Sequence, residues 1–159
     1  MKQITKDWLA LAWEDLHAAK TLAKEEGITN IAAFHCQQCL EKSLKALIEV
    51  QNQPSVKSHD LTRLLMFAKI QLSEEELHLL SILNEIYIDS RYPGDLGILP
   101  SGKPTHPELE SFIQFTEYLF KKIKKEIKIY EFIINYSQSS VSTFPVGTPF
   151  TIKAFLSPK

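Results

Sequence analysis

Glycine is scarce and unevenly placed in this chain. Three of its five glycines fall between positions 90 and 105, together with three of its eight prolines. That clustering marks one long loop, SRYPGDLGILPSGKPT. Charge excess is missing too: eighteen Lys and Arg stand against nineteen Asp and Glu, a formal net charge of −1. Such a balance gives no global case for nucleic-acid binding, and any such contact needs a local basic patch. No stretch approaches the roughly 18 apolar residues of a membrane span. The opening MKQITKDWLALAWEDL is charged throughout and lacks a signal-peptide hydrophobic region. The expected location is the cytoplasm, where the only two cysteines, Cys36 and Cys39, stay reduced. Also missing are an internal repeat, a Gly-rich phosphate loop, a Gly-x-Ser-x-Gly elbow and a His-Glu-x-x-His pair.

What is present is helix. Residues 31–50, IAAFHCQQCLEKSLKALIEV, contain no Gly or Pro and are rich in Ala, Leu, Glu, Lys and Gln. At about 100° per residue, Cys36, Cys39, Leu40, Ser43, Leu44, Ala46, Leu47 and Ile48 form a broad apolar arc. His35, Gln38, Lys42, Lys45 and Glu49 form a polar stripe opposite. Gln37 and Glu41 break the partition, falling between Leu44, Ile48 and Phe34 on the edge that is to be buried. A carboxylate there is costly unless paired or hydrogen-bonded.

The period predicts a first helix over 4–26, with Ile4, Trp8, Leu11, Ala12, Leu16, Ala19, Leu22 and Ala23 on one face and Gly27 as its stop. Asp15 projects into that face between Trp8 and Leu22; the alternative puts it in solvent at a helix crossing. The second helix runs from about Asn30 to Gln51. Ser58 or Asp60 caps a short third helix carrying Leu61, Leu64, Leu65 and Ala68. Ser73 with Glu76 is a capping box that opens a fourth helix over 74–89. Leu77, Leu80, Tyr87 and Ile88 share one of its faces with Asn84 in their midst, and Leu79, Ile82 and Ile86 form a second apolar strip. Thr105 with Glu108 is another capping box, and the fifth helix runs to about Tyr130 or beyond. Residues 136–159 are set apart as a tail, because from about 137 the helical period is lost. The expected fold is an all-α, up-and-down bundle of four long helices plus one short one, over 1–135.

Cys36-Gln-Gln-Cys39 has redox spacing, but both sulfurs fall inside a helix on its apolar side, so two core cysteines are expected. A zinc site using His35 or His59 lacks a second pair at ligand spacing, and no metal or cofactor is expected. Lys121, Lys122, Lys124, Lys125 and Lys128 form a basic run that reads first as a solvated face diluted by Glu117, Glu126 and Glu131, and second as a phosphate contact. The remaining polar set is Asp15, His35, Gln38, Glu41, Lys42, Lys45, His59, Asp60, Arg91 and Tyr92. Arg91 is placed to reach Asp15 or Glu41 as a bidentate partner. Two readings stand side by side. One is a buried ion-pair network that fixes helix register; the other is a cleft in which Lys42, Lys45 and Arg91 meet an anion.

These residues resemble the HEPN family (higher eukaryotes and prokaryotes nucleotide-binding). The likeness runs through WEDLHAAKTL, AFHCQQCLEKSLKALI, SHDLTRLL and SRYPGD, over roughly residues 6–130. It implies a helical bundle, commonly a homodimer, often paired with a separate minimal nucleotidyltransferase in toxin–antitoxin-like modules. Many HEPN proteins are metal-independent ribonucleases that use an Arg and a His separated by four to six residues. This chain departs from that pattern. After Arg91 those positions hold Leu96, Gly97 and Ile98, and the next His is His106. The expectation is therefore a non-enzymatic bundle that binds a nucleotide, nucleic acid or a nucleotidyltransferase. Its binding surface comprises Asp15, His35, Gln38, Glu41, Lys42, Lys45, His59, Arg91 and Tyr92. The alternative is a ribonuclease using Arg91 with His106, or His35 with His59. Trp8, Trp13, Tyr87 and Tyr92 are the aromatics expected to anchor a dimer.

Overall fold

The computed structural model describes residues 1–89 and 103–140, and the side chains of 1–86 and 103–136. Five helices follow in order: α1 (Gln3–Leu22), α2 (Thr29–Val50), α3 (Leu61–Ala68), α4 (Glu74–Asp89) and α5 (His106–Ser140). The fold is the expected all-α bundle of four long helices and one short one, with no strand among the described residues. α2 is its axis and packs against each of the other four helices. Leu40, Leu44, Leu47 and Ile48 are completely or almost completely buried there, each worth about 1.5–3 kcal/mol against exposure.

Helix ends follow their local chemistry. Asp60 caps α3, its carboxylate accepting from the Arg63 N–H at 3.1 Å, while the Ser58 hydroxyl accepts from the Asp60 N–H. At α4 the box closes both ways: Glu76 N–H donates to Ser73 Oγ, and Ser73 N–H donates to Glu76 Oε2. Thr105 and Glu108 make the same exchange at α5. α1 stops at Leu22, earlier than expected, and Gly27 adopts φ +82° in the turn that leads to α2. α5 continues to Ser140, about 50 Å of helix at 1.5 Å per residue.

Two apolar faces differ from the period's forecast. On α1 the buried positions are Thr5, Ala12, Asp15, Leu16 and Ala19, whereas Ile4 and Leu11 are exposed. Small side chains at Ala12 and Ala19 let α1 approach α2 closely, and that rotation carries the larger flanking residues to the rim. On α4 the core takes Leu80, Leu83 and Ile86, and Leu77 is exposed. Asn84, out of place on an apolar face, accepts from the Leu61 N–H at 2.7 Å and so ties α4 to the start of α3.

Candidate functional site

The two misplaced carboxylates organise the site. Asp15 on α1 is only 8% exposed, and Glu41 on α2 only 3%. An ionised carboxylate at such depth is tolerable only when its oxygens are satisfied. Asp15 Oδ2 accepts from Lys42 Nζ at 2.5 Å, and Oδ1 lies 2.9 Å from His35 Nδ1. Glu41 Oε1 accepts from Lys45 Nζ at 2.7 Å, and His59 Nδ1 stands 3.1 Å from both Glu41 oxygens. Gln37 supplies a further donor: its Nε2 reaches Glu41 Oε2 at 3.3 Å and the His59 carbonyl at 3.1 Å. Gln38 Nε2 in turn donates to Gln37 Oε1 at 2.6 Å. Lys45 also lies over the Trp8 ring, 5.4 Å from its centroid, a cation–π contact.

The α2 stripe is thus two adjoining sets, Asp15–Lys42–His35 and Glu41–Lys45–His59, with acids inside and bases toward solvent. Glu41 and Lys45 are one turn apart on α2, so the helix itself brings this acid and base together. The structure brings together Asp15, His35, Gln38, Glu41, Lys42, Lys45 and His59. Arg91 and Tyr92 lie outside the described residues, as does the side chain of Tyr87. His106 opens α5 at the surface and lines a separate depression of about 390 Å³ with Ala23, Leu109 and Ile113. Among the described residues no group of three or more His, Cys, Asp or Glu is disposed to hold a metal ion. The two cysteines are buried, and desolvation pushes the Cys36 thiol up to about 12 and raises that of Cys39 as well.

A second polar feature lies between α1 and α5. Trp13, His17 and Lys20 on α1 face Phe120, Lys121, Lys124, Lys125 and Lys128 on α5 across a groove of about 490 Å³. Glu117 bridges Lys20 and Lys121, and those ammonium donors, Lys121 foremost, hold its carboxyl below the ordinary carboxylate value.

The HEPN domain family profile matches residues 5–141. The chain belongs to the HEPN domain family. Among solved structures, an archaeal HEPN homologue is 27% identical with a TM-score of 0.61, covering 80% of this chain and 99% of that one. The Thermus thermophilus protein TT1696 shares the fold at 23% identity with a TM-score of 0.65, covering 79% of this chain and 99% of that one. No curated protein gives a match. Both ion sets and the basic groove fall inside the HEPN match. Two features of this HEPN chain are hidden from its sequence. Gln37 stands out as misplaced on α2, yet nothing in the sequence marks it as the link between Glu41 and Gln38. The groove joins the lysine run to α1 residues far away along the chain, and only Trp13, standing off its helix's apolar face, signals it.

Proposed function

We propose that this HEPN bundle works by binding rather than catalysis. It belongs with members that carry Arg91-Tyr92-Pro93 and lack a closely spaced Arg/His pair. It assembles as a cytoplasmic homodimer and engages a nucleotide, nucleic acid or a minimal nucleotidyltransferase in a toxin–antitoxin-like module. The observation that carries this reading is the state of the α2 stripe. Lys42 and Lys45 each reach the surface already paired with a buried carboxylate. A lysine neutralised in this way attracts a phosphate weakly, but it holds a fixed pattern of polar groups that a protein surface can match. The stripe therefore favours a protein partner, either the second copy or the nucleotidyltransferase.

Light scattering across a dilution series tests the assembly. The expected mass is twice the 18.2 kDa of one chain; a single-chain mass at every concentration contradicts it. Co-purification with a small nucleotidyltransferase encoded next to this chain tests the partner.

One observation favours a ribonuclease as the second reading. His35 and His59 each face a buried carboxylate through Nδ1, the pairing by which an acid orients a general-base imidazole. A radiolabelled RNA cleavage assay separates the readings. Fragments lost on His35→Ala/His59→Ala, or on His106→Ala, favour the nuclease.

A further inference from the structure

The groove between α1 and α5 holds a concentration of positive charge that the chain's net charge of −1 conceals. Five lysines line it, with Glu117 as the sole carboxylate among its lining residues. Lys20 and Lys121 share Glu117, which leaves Lys124, Lys125 and Lys128 without an ion-pair partner among the described residues. Lys121 to Lys128 spans about 10 Å along the helix at 1.5 Å per residue, so the charges form a track rather than a point. The track has an aromatic wall. Phe120 lies under Lys124, 5.3 Å from ammonium to ring centroid. Trp13 is 56% exposed, and its ring is stacked on His17 at 5.5 Å with 14° between planes. An indole held flat by a neighbouring ring, with much of its surface open to solvent, is a platform for another planar group.

Lysines along a track beside an aromatic platform match the chemistry of a single nucleic-acid strand, in which phosphates follow the charges and a base stacks on the ring. An acidic peptide would satisfy the lysines and leave the platform unused. We propose that the α1–α5 groove binds single-stranded nucleic acid, with Lys124, Lys125 and Lys128 on the phosphates and Trp13 stacked on a base. This inference rests on the nucleic-acid arm of the reading above and assigns it to a surface other than the α2 stripe.

Anisotropy of labelled oligouridylate and oligothymidylate dodecamers, titrated with the full chain at 50 to 200 mM salt, tests the proposal. Binding is expected to weaken as salt rises. Lys125→Ala/Lys128→Ala is expected to weaken it more than tenfold at the lowest salt and to flatten the log–log salt slope by about 1.4, or 0.7 for each phosphate no longer neutralised. Trp13→Ala is expected to cost roughly 5- to 150-fold, the range for one stacked base, and Trp13→Phe to restore most of it. All these side chains are exposed, so the melting temperature is expected to hold. A tenfold preference for the uridylate identifies RNA as the ligand; equal affinity identifies a strand of either sugar. The proposal is overturned if the groove variants bind as the wild type does, or if a polyglutamate peptide competes as well as the oligonucleotides. Loss of binding only in Asp15→Asn/Lys42→Met moves the ligand to the α2 stripe, defeating the groove and sparing the general reading. If neither oligomer binds at the lowest salt, both the groove and the nucleic-acid arm fail. The protein-partner arm is then judged by light scattering and co-purification alone.

Discussion

At the scale of single residues, Glu41 is the position on which most depends. It accepts from Lys45, His59 and Gln37, so truncation removes the acceptor that all three share. Glu41→Ala is expected to cost about 2 kcal/mol in urea denaturation. That is below the roughly 3–5 of a fully buried pair, because Lys45 and His59 reach solvent. A loss under about 0.5 kcal/mol contradicts the network. Cys36 gives a second residue-scale prediction. Burial disfavours its thiolate and pushes the thiol up to about 12, so native protein at pH 8 is expected to give no reaction with a thiol reagent until it unfolds. The inward carboxylates were legible in the sequence because each interrupts an apolar arc. Their partners were only partly so. Glu41 and Lys45 lie one turn apart on a single helix, yet Arg91 was the partner expected for the acid; Asp15–Lys42 depends on how α1 is rotated against α2, and a one-helix period carries no such information. Arg91, the partner expected for either acid, lies outside the described residues.

At the scale of elements, side-chain caps start α3, α4 and α5, whereas α1 and α2 begin without one. Of the two candidates for the third helix, Ser58 and Asp60, the cap is Asp60, and the boxes opening at Ser73 and Thr105 are both made. Asp60→Ala is expected to cost about 1 kcal/mol, the typical value of a lost N-cap, and equilibrium unfolding measures it. Glu108 adds a pH dependence with a definite sign. Hydrogen bonds from the Thr105 hydroxyl, and then from its backbone N–H, hold its carboxyl below the ordinary 4.5. The unfolded chain therefore binds a proton at Glu108 before the folded one does. The contribution is complete above the ordinary value and is lost as pH falls through the lowered one. Glu108→Gln keeps the capping geometry and is expected to flatten the decline of the urea midpoint below pH 4.5; an unchanged decline assigns the effect to other carboxylates. The helix count, the loop positions and the α2 core were open to the sequence. The exposure of Ile4, Leu11 and Leu77 was not. For α1 the small residues Ala12 and Ala19 set its approach to α2, and packing of that kind is a property of two helices together.

At the scale of the whole molecule, charge is sorted rather than merely balanced. The α2 stripe presents bases already paired with inward acids, whereas the α1–α5 groove gathers lysines that outnumber its carboxylate five to one. Association at the first surface is expected to depend weakly on salt, and at the second steeply. No helix among the described residues is long and apolar enough to cross a membrane. The bundle's α2 axis carries one polar surface itself and packs against both helices that form the other. The claim that this HEPN chain binds without cutting is tested most directly by incubating end-labelled RNA with purified protein in metal-free buffer and following both complex and length. The account predicts RNA of unchanged length, whether bound or not. Shortened products that disappear with His35→Ala/His59→Ala or with His106→Ala would contradict it.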